Sequence, residues 1–380
     1  TSGTTGFSKG VVLTHKNLVW DARQCHTIQP VDETYRFLSI LPMAHTYENT
    51  LGLLLPLMFG AQVYYLDRVP TPKLLVPAMQ KIRPTVVLSV PLIIEKIYKS
   101  QVLPKFTSSK LMSKLYQFAP ARKLFNRLAG KKLMETFGGE LKFFGIGGSK
   151  LDGTVEQFLR EAKFPYAIGY GLTETAPMAA GSNPSQTFLQ GVGPVMEGVQ
   201  IKINDPDKSG QGEIWIKGPN VMKGYYKRPE LTAETFTEDG WFKTGDLGSF
   251  DKKNRLAIRG RIKTMILGAS GENIYPEEIE SIINNFRFVN ESLVVENSGK
   301  LVAMVHFNME ELEKQYQKLK DQAGNYKEKI NDYIEEQKQE LRDYVNARVN
   351  NFSKLQLVLV QHEPFEKTPT HKIKRFLYCK

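Results

Sequence analysis

Between residues 11 and 180, short apolar runs rich in β-branched and aromatic residues alternate with stretches of helical character. Val63-Tyr64-Tyr65-Leu66, Thr85 to Val90 and Leu141 to Ile146 predict strands, and the last ends at Gly147-Gly148. Lys73 to Ile82 and Pro91 to Lys99 predict helices between them. Such alternation is the pattern of a parallel sheet covered by helices. The apolar run Leu51 to Leu66, interrupted by Gly52, Pro56, Gly60 and Gln62, reads as a buried helix running into a strand. It falls short of the roughly 20 residues that a membrane span needs.

The pattern changes near Gly191. Val199 to Ile203 and Gly212 to Lys217 alternate apolar and polar positions, with turn signals at Asp205-Pro206-Asp207 and Ser209-Gly210. A small antiparallel or barrel-like subdomain is expected there. A third unit starts near Arg261, with a helix from Glu277 to Ile283 and strands at Leu293 to Glu296 and Leu301 to Phe307. The charged stretch Glu310 to Asn350 lacks the sustained seam of a coiled coil and predicts a solvated helical pair. The expected class is α/β, with boundaries 1–190, 191–260 and 261–380 and a helical insertion near 310–350.

Composition narrows this little. The 380 residues are 41% hydrophobic and 24% charged, enough for two or three packed domains. Cys25 and Cys379 cannot make a disulfide framework, which fits a reducing, cytoplasmic setting. The six histidines form no cluster with metal-ligand spacing. The formal charge of +11 suggests an anionic partner: a nucleotide, CoA phosphates or the surface of a membrane at which the chain sits peripherally. Nucleic acid is disfavoured, because no zinc-finger spacing, RNP-like strand or basic-leucine repeat is present.

The opening Thr1-Ser2-Gly3-Thr4-Thr5-Gly6-Phe7-Ser8-Lys9-Gly10 has what a phosphate grip requires. Hydroxyls and glycine N–H groups donate, and Lys9 supplies a mobile cation. Val11 to His15, directly after it, reads as a hairpin within a domain. A chain opening at Thr1, without Met, inside such a loop is expected to lack an N-terminal portion.

The loop closely resembles the phosphate-binding signature of the adenylate-forming superfamily: acyl-CoA synthetases, luciferases and nonribosomal-peptide adenylation domains. Further motifs recur in the family's order over nearly the whole chain. Leu41-Pro42-Met43-Ala44-His45-Thr46-Tyr47-Glu48 resembles LPxxH, whose histidine lies beside the acyl site; Glu48 stands where many relatives carry Gly. Gly147, Gly148 and Ser149 resemble the turn that flanks the adenine. Tyr170-Gly171-Leu172-Thr173-Glu174-Thr175 is the most specific match. Tyr170 can stack on a purine, Gly171 permits close backbone approach, Thr173 can donate to a phosphate and Glu174 can hold Mg²⁺ through oxygen. Ile168 occupies a position that is often polar in relatives. Trp241 to Leu247 resembles WxxTGD, in which Asp246 would accept from the ribose hydroxyls. Arg259 to Lys263 resembles the boundary between large and small domains, with Arg261 on ribose or phosphate and Lys263 as hinge. Gly271 would let the CoA arm pass. Thr368-Pro369-Thr370-His371-Lys372-Ile373-Lys374-Arg375 resembles the terminal motif with the catalytic lysine, Lys372, and His371 replaces the usual Gly.

The resemblance implies a mobile C-terminal domain and two half-reactions. A carboxylate and MgATP would give acyl-AMP and pyrophosphate, and CoA would then take the acyl group and release AMP. The forms LPMAHTYE and TPTHKIKR resemble the long-chain fatty acyl branch. Activation of an aryl or amino acid, and a non-catalytic nucleotide-binding fragment, are the alternatives.

Overall fold

The computed structural model describes residues 9–68, 70–107, 109–268, 272–319, 326–368 and 373–379. The chain divides into two compact units, one of residues 10–244 with 248–258, the other built on residues 259–380 with 245–247.

In the first unit, strand β1 (Val11–Val12) leads into the helix His15–Ile28. Thr14 caps that helix in a reciprocal box with Asn17, which takes the chain out of extended conformation at once. The hairpin expected at Val11 to His15 therefore does not form. β1 pairs instead with a distant strand, in register Val11↔Tyr225. Asn17 fixes that long-range join by donating to the carbonyls of Pro219 and Val221, at 2.6 and 2.9 Å.

Six strands follow: β2 (Arg36–Ser39), β3 (Gln62–Tyr65), β4 (Val86–Ser89), β5 (Phe143–Ile146), β6 (Tyr166–Gly171) and β7 (Met178–Gly181). They form one sheet in the order β3-β2-β4-β5-β6-β7. All neighbours are parallel except the edge strand β7, which runs antiparallel to β6. Both faces are covered, which is why the strands read as continuous apolar runs. Alternate residues go to opposite sides. Phe37, Val86 and Leu88 join the core beneath the helix His15–Ile28, together with Ala22 and Cys25. Leu38, Val87 and Phe144 join the other core, with Tyr98, Phe137 and Phe158.

Four more strands, β8 (Gln200–Asn204), β9 (Gly212–Lys217), β11 (Phe242–Phe250) and β12 (Leu256–Arg261), make a sheet in the order β12-β11-β9-β8. Between them lies β10 (Gly224–Tyr225), the partner of β1. The described strands of this sheet stand in a four-stranded order, and β8 and β9 pair antiparallel.

The second unit begins with the short pair β13 (Ile266–Leu267) and β14 (Asn273–Ile274). Its core sheet joins β15 (Val289–Asn297) and β16 (Lys300–Phe307) antiparallel, with β17 (Leu357–Val360) parallel to β16. The helices Met309–Leu319 and Tyr326–Asn346 are not a solvated pair as expected. Leu312, Tyr316, Tyr333, Leu341 and Val345 are buried in the same core as Val294, Ala303 and Val305 of the sheet. One apolar residue per turn makes a narrow stripe that the surrounding charges hide in the sequence.

The basic C-terminal run is docked and not a free tail. Arg375 donates to Glu280, lies 3.6 Å from Glu277, and has a side chain only 15% exposed. Lys374 pairs with Glu366 at 3.2 Å. Removing one partner of a buried pair strands the other charge. Arg375→Ala should therefore cost about 3–5 kcal/mol by urea denaturation, whereas Arg375→Ala with Glu280→Leu should recover most of it. No recovery in the double variant would sink the assignment.

Candidate active site

The C-terminal ends of β5 and β6 carry the conspicuous chemistry of the first unit, as expected for an open α/β sheet. Beyond Ile146 the chain turns through Gly147, which is buried, and Gly148, whose φ of +90° suits glycine; Ser149 is exposed. Tyr47 lies over this turn. A Cβ at Gly145 would stand 2.8 Å from its hydroxyl, and one at Gly147 would stand 3.3 Å from its ring.

Beyond Gly171, residues Thr173–Thr175 form a single 3₁₀ turn. The Thr175 hydroxyl accepts from the Leu172 N–H at 2.8 Å and donates to the Pro177 carbonyl. A Cβ on Gly171 would fall 1.7 Å from the Pro177 oxygen, so the turn itself demands glycine here. Tyr170 is buried, with 8% of its surface exposed. Glu174 is buried too, and the Tyr225 hydroxyl donates to its Oε1 at 2.9 Å. The Glu174 carbonyl accepts from the Met222 N–H at 2.8 Å. Burial beside the carboxylate pushes the Tyr225 phenol well above its usual range, so it stays a donor.

Among the described residues no three His, Cys, Asp or Glu groups converge. A single carboxylate with one oxygen held by a phenol suits Mg²⁺, which is commonly bound through one or two carboxylates plus substrate phosphates and water. Glu174 is the residue that would hold it.

A partly open pocket with mostly apolar walls lies against the sheet, directly upstream of both turns. Its walls include Phe37, Leu51, Val86, Leu88, Ile146 and Ile168, with Gly145 and Gly169 in the strands themselves. Two buried carboxyls stand behind this wall. Burial drives the Asp21 carboxyl well above the usual range. Glu48 is 1% exposed and accepts from the Ser39 hydroxyl, and burial pushes it up to about 7. Its Oε2 finds no hydrogen-bond partner among the described residues. His45 is half-buried in the same segment, where its Nδ1 accepts from the Tyr47 N–H at 3.2 Å.

Within the second unit, Asp246 is buried and receives the Arg261 guanidinium at 2.9 Å, while the Arg261 side chain is 38% exposed. Lys263 is exposed in the 3₁₀ turn Ile262–Thr264. The Thr264 hydroxyl bonds Glu277 at 2.8 Å and so ties this turn to the helix Pro276–Asn284. Lys9 is half-buried at the start of the described chain. Thr1, Ser2, Gly3, Thr4, Thr5 and Gly6, together with Gly271 and Lys372, lie outside the described residues.

The sequence profile described as AMP-binding enzyme matches residues 1–226. The chain belongs to that family. It is 31% identical to the peroxisomal long chain acyl-CoA synthetase 6 of Arabidopsis thaliana, over 99% of this chain and 58% of that protein. It is 32% identical to long-chain-fatty-acid–CoA ligase 1 of Saccharomyces cerevisiae, over 79% of this chain and 46% of the relative. The chain thus spans about half the length of the curated relatives it matches. The fold agrees. ATP-bound MatB from Rhodopseudomonas palustris superposes with a TM-score of 0.74 at 24% identity, covering 99% of this chain and 66% of that one. The AMP complex of the Bacillus subtilis o-succinylbenzoate CoA synthetase gives 0.74 at 24%, covering 100% and 67%.

Three of the buried residues described above, Tyr47, Tyr225 and Asp21, went unassigned in the sequence. Tyr47 sits in a recognised segment, two residues after His45, and Tyr225 directly follows Gly224, yet an aromatic at either place is equally consistent with core. Asp21 carried no signal, since a lone carboxylate in an amphipathic helix reads as solvent-facing.

The Glu48 carboxyl makes stability depend on pH. Unfolded, it releases its proton near 4.5; folded, it keeps it to about 7. Raising the pH through that window therefore favours unfolding. Relative to Glu48→Gln, the protein should lose about 3 kcal/mol between pH 4.5 and pH 7.5, by urea denaturation of both. Parallel pH profiles would contradict it.

Proposed function

We propose that this protein activates fatty acids in two steps. A fatty carboxylate oxygen attacks the α-phosphorus of ATP, the bond to pyrophosphate breaks, and acyl-AMP forms. The CoA thiol then attacks the acyl carbonyl and AMP leaves. The observation that carries this reading is the apolar cavity whose strand residues Gly145-Ile146 and Ile168-Gly169 run straight into Gly147-Gly148-Ser149 and Tyr170 to Thr175. An acyl chain in that cavity would present its carboxylate at the strand ends where the nucleotide motifs lie. Among the described residues the wall carries no Asp, Glu, Lys or Arg side chain, which suits a hydrocarbon better than an amino acid. The long-chain acyl-CoA synthetases among its relatives support the same substrate class.

The physical difficulty is an anion attacking an anion. Lys372, Lys9 and the donors of the opening loop, with Thr173, would offset charge on the phosphates and align them. Glu174, steadied by Tyr225, would hold Mg²⁺, which supplies further charge neutralisation. Asp246 and Arg261 would grip the ribose. The exposed turn at Lys263 would be the hinge that exchanges Lys372 for the CoA side of the site around Gly271, with His45 at the acyl end. The chain would work in the cytoplasm, free or peripheral at a membrane.

ATP–pyrophosphate exchange with acids of graded length, on this chain and on one extended N-terminally, tests the reading. Exchange should rise with chain length, and exchange driven best by aryl or amino acids would overturn it. Lys372→Ala should slow adenylation by roughly 10²–10³ and leave thioester formation from supplied acyl-AMP intact; equal loss in both steps contradicts the exchange of Lys372 for CoA. Gly145→Val, which pushes atoms toward Tyr47, Phe143 and Leu88, should shift the preferred acid to shorter chains. An unchanged length profile would remove the cavity from the acyl role.

A further inference from the structure

Between Glu95 and Glu135 the chain contains ten Lys and Arg residues and no Asp or Glu. Those ten charges account for all but one of the formal +11 of the whole chain. The segment folds into the helices Lys110–Gln117 and Ala119–Thr136, joined at Phe118. Their inner faces are spoken for. Phe106 stacks on Tyr116 and Phe125, at centroid distances of 5.0 and 5.5 Å. The Tyr116 hydroxyl donates to Asn126, and Arg122 and Asn126 both donate to Glu161.

The outer face is unusual. Leu111, Leu115 and Phe118, spaced for one side of a helix, are 69%, 40% and 63% exposed. Leu124 and Leu128, one turn apart on the next helix, are 58% and 60% exposed. Lys105, Lys114, Lys123, Arg127, Lys131 and Lys132 are exposed in the same segment. A solvated helix has no use for five large apolar side chains in two stripes. Apolar side chains among cations, with acids absent, are the composition of a helix that lies in a bilayer interface. Among the described residues no helix is long and apolar enough to cross a membrane, so the contact would be peripheral.

We propose that the outer face of the helices at 110–136 docks on an anionic lipid bilayer, with Leu111, Leu115, Phe118, Leu124 and Leu128 entering the interface and the surrounding lysines and arginines meeting lipid phosphates. Charge complementarity selects this occupant. A protein partner would need a large acidic surface, whereas an anionic leaflet supplies that charge and accepts leucines alike. The inference goes beyond the proposed fatty-acid activation, whose amphiphilic substrate partitions into bilayers, and its readout needs no turnover.

Vesicle flotation of the full 380-residue chain tests it, with phosphatidylcholine alone and with about one-third phosphatidylserine. The chain should float with the anionic vesicles only. Lys123→Gln/Arg127→Gln/Lys131→Gln should lower the partition coefficient roughly a hundredfold, and Leu115→Ser/Leu124→Ser/Leu128→Ser at least about tenfold. Both triple variants should keep the thermal unfolding midpoint, since the replaced side chains are exposed. Absence of flotation, or flotation that neither variant changes, overturns the proposal. So does self-association that the leucine variant abolishes without vesicle binding, which would assign the face to a second copy. Shielding of a Leu124→Cys thiol in an N-terminally longer chain without lipid would assign the face to an intramolecular contact, with the same consequence.

Discussion

Burial of both faces of the parallel sheet constrains everything else in the first unit. Strands β4, β5 and β6 have side chains packed above and below, so no polar group can stand on a face without loss of hydration. Chemistry is left only the strand ends, where the backbone escapes the layers. The turns Gly147-Gly148-Ser149 and Thr173–Thr175 occupy those ends, and both depend on glycine for packing reasons before any ligand is considered. Among the described residues an under-filled region lies against β5 and β6, lined by the strand residues that lead into the turns. Sheet, cavity and nucleotide motifs are thus a single consequence of layering.

Electrostatics in this unit follows from that layering. Asp21 and Glu48 are carboxyls held where charge is costly, and both respond by keeping their protons at higher pH. Glu174, also buried, accepts from the Tyr225 hydroxyl just beyond the end of β6.

Much of this was legible in the residues. The β-branched runs at 85–90 and 141–146 became β4 and β5 within one or two residues, because central parallel strands carry an unbroken apolar signal, and the run at 63–66 became the edge strand β3. The Tyr170 to Glu174 motif was recognisable because an aromatic-glycine pair before Thr and Glu has no simple helical explanation. What escaped was long-range. Nothing local says that Val11–Val12 seeks Gly224–Tyr225, or that Arg375 seeks Glu280; each pairing is decided by packing that joins distant segments. The helix Tyr326–Asn346 misled for a different reason, since a stripe one residue wide is outweighed by the charges on its other faces.

The central claim is that the cavity against β5 and β6 takes the hydrocarbon of an acid held at the strand ends. Calorimetric binding of non-hydrolysable acyl-adenylate analogues of increasing chain length tests it most directly, because it needs no turnover. Each buried methylene is worth about 0.8 kcal/mol, so affinity should climb roughly fourfold per carbon until the cavity is full, then level off. Affinity independent of chain length, with AMP alone binding as tightly, would contradict the account.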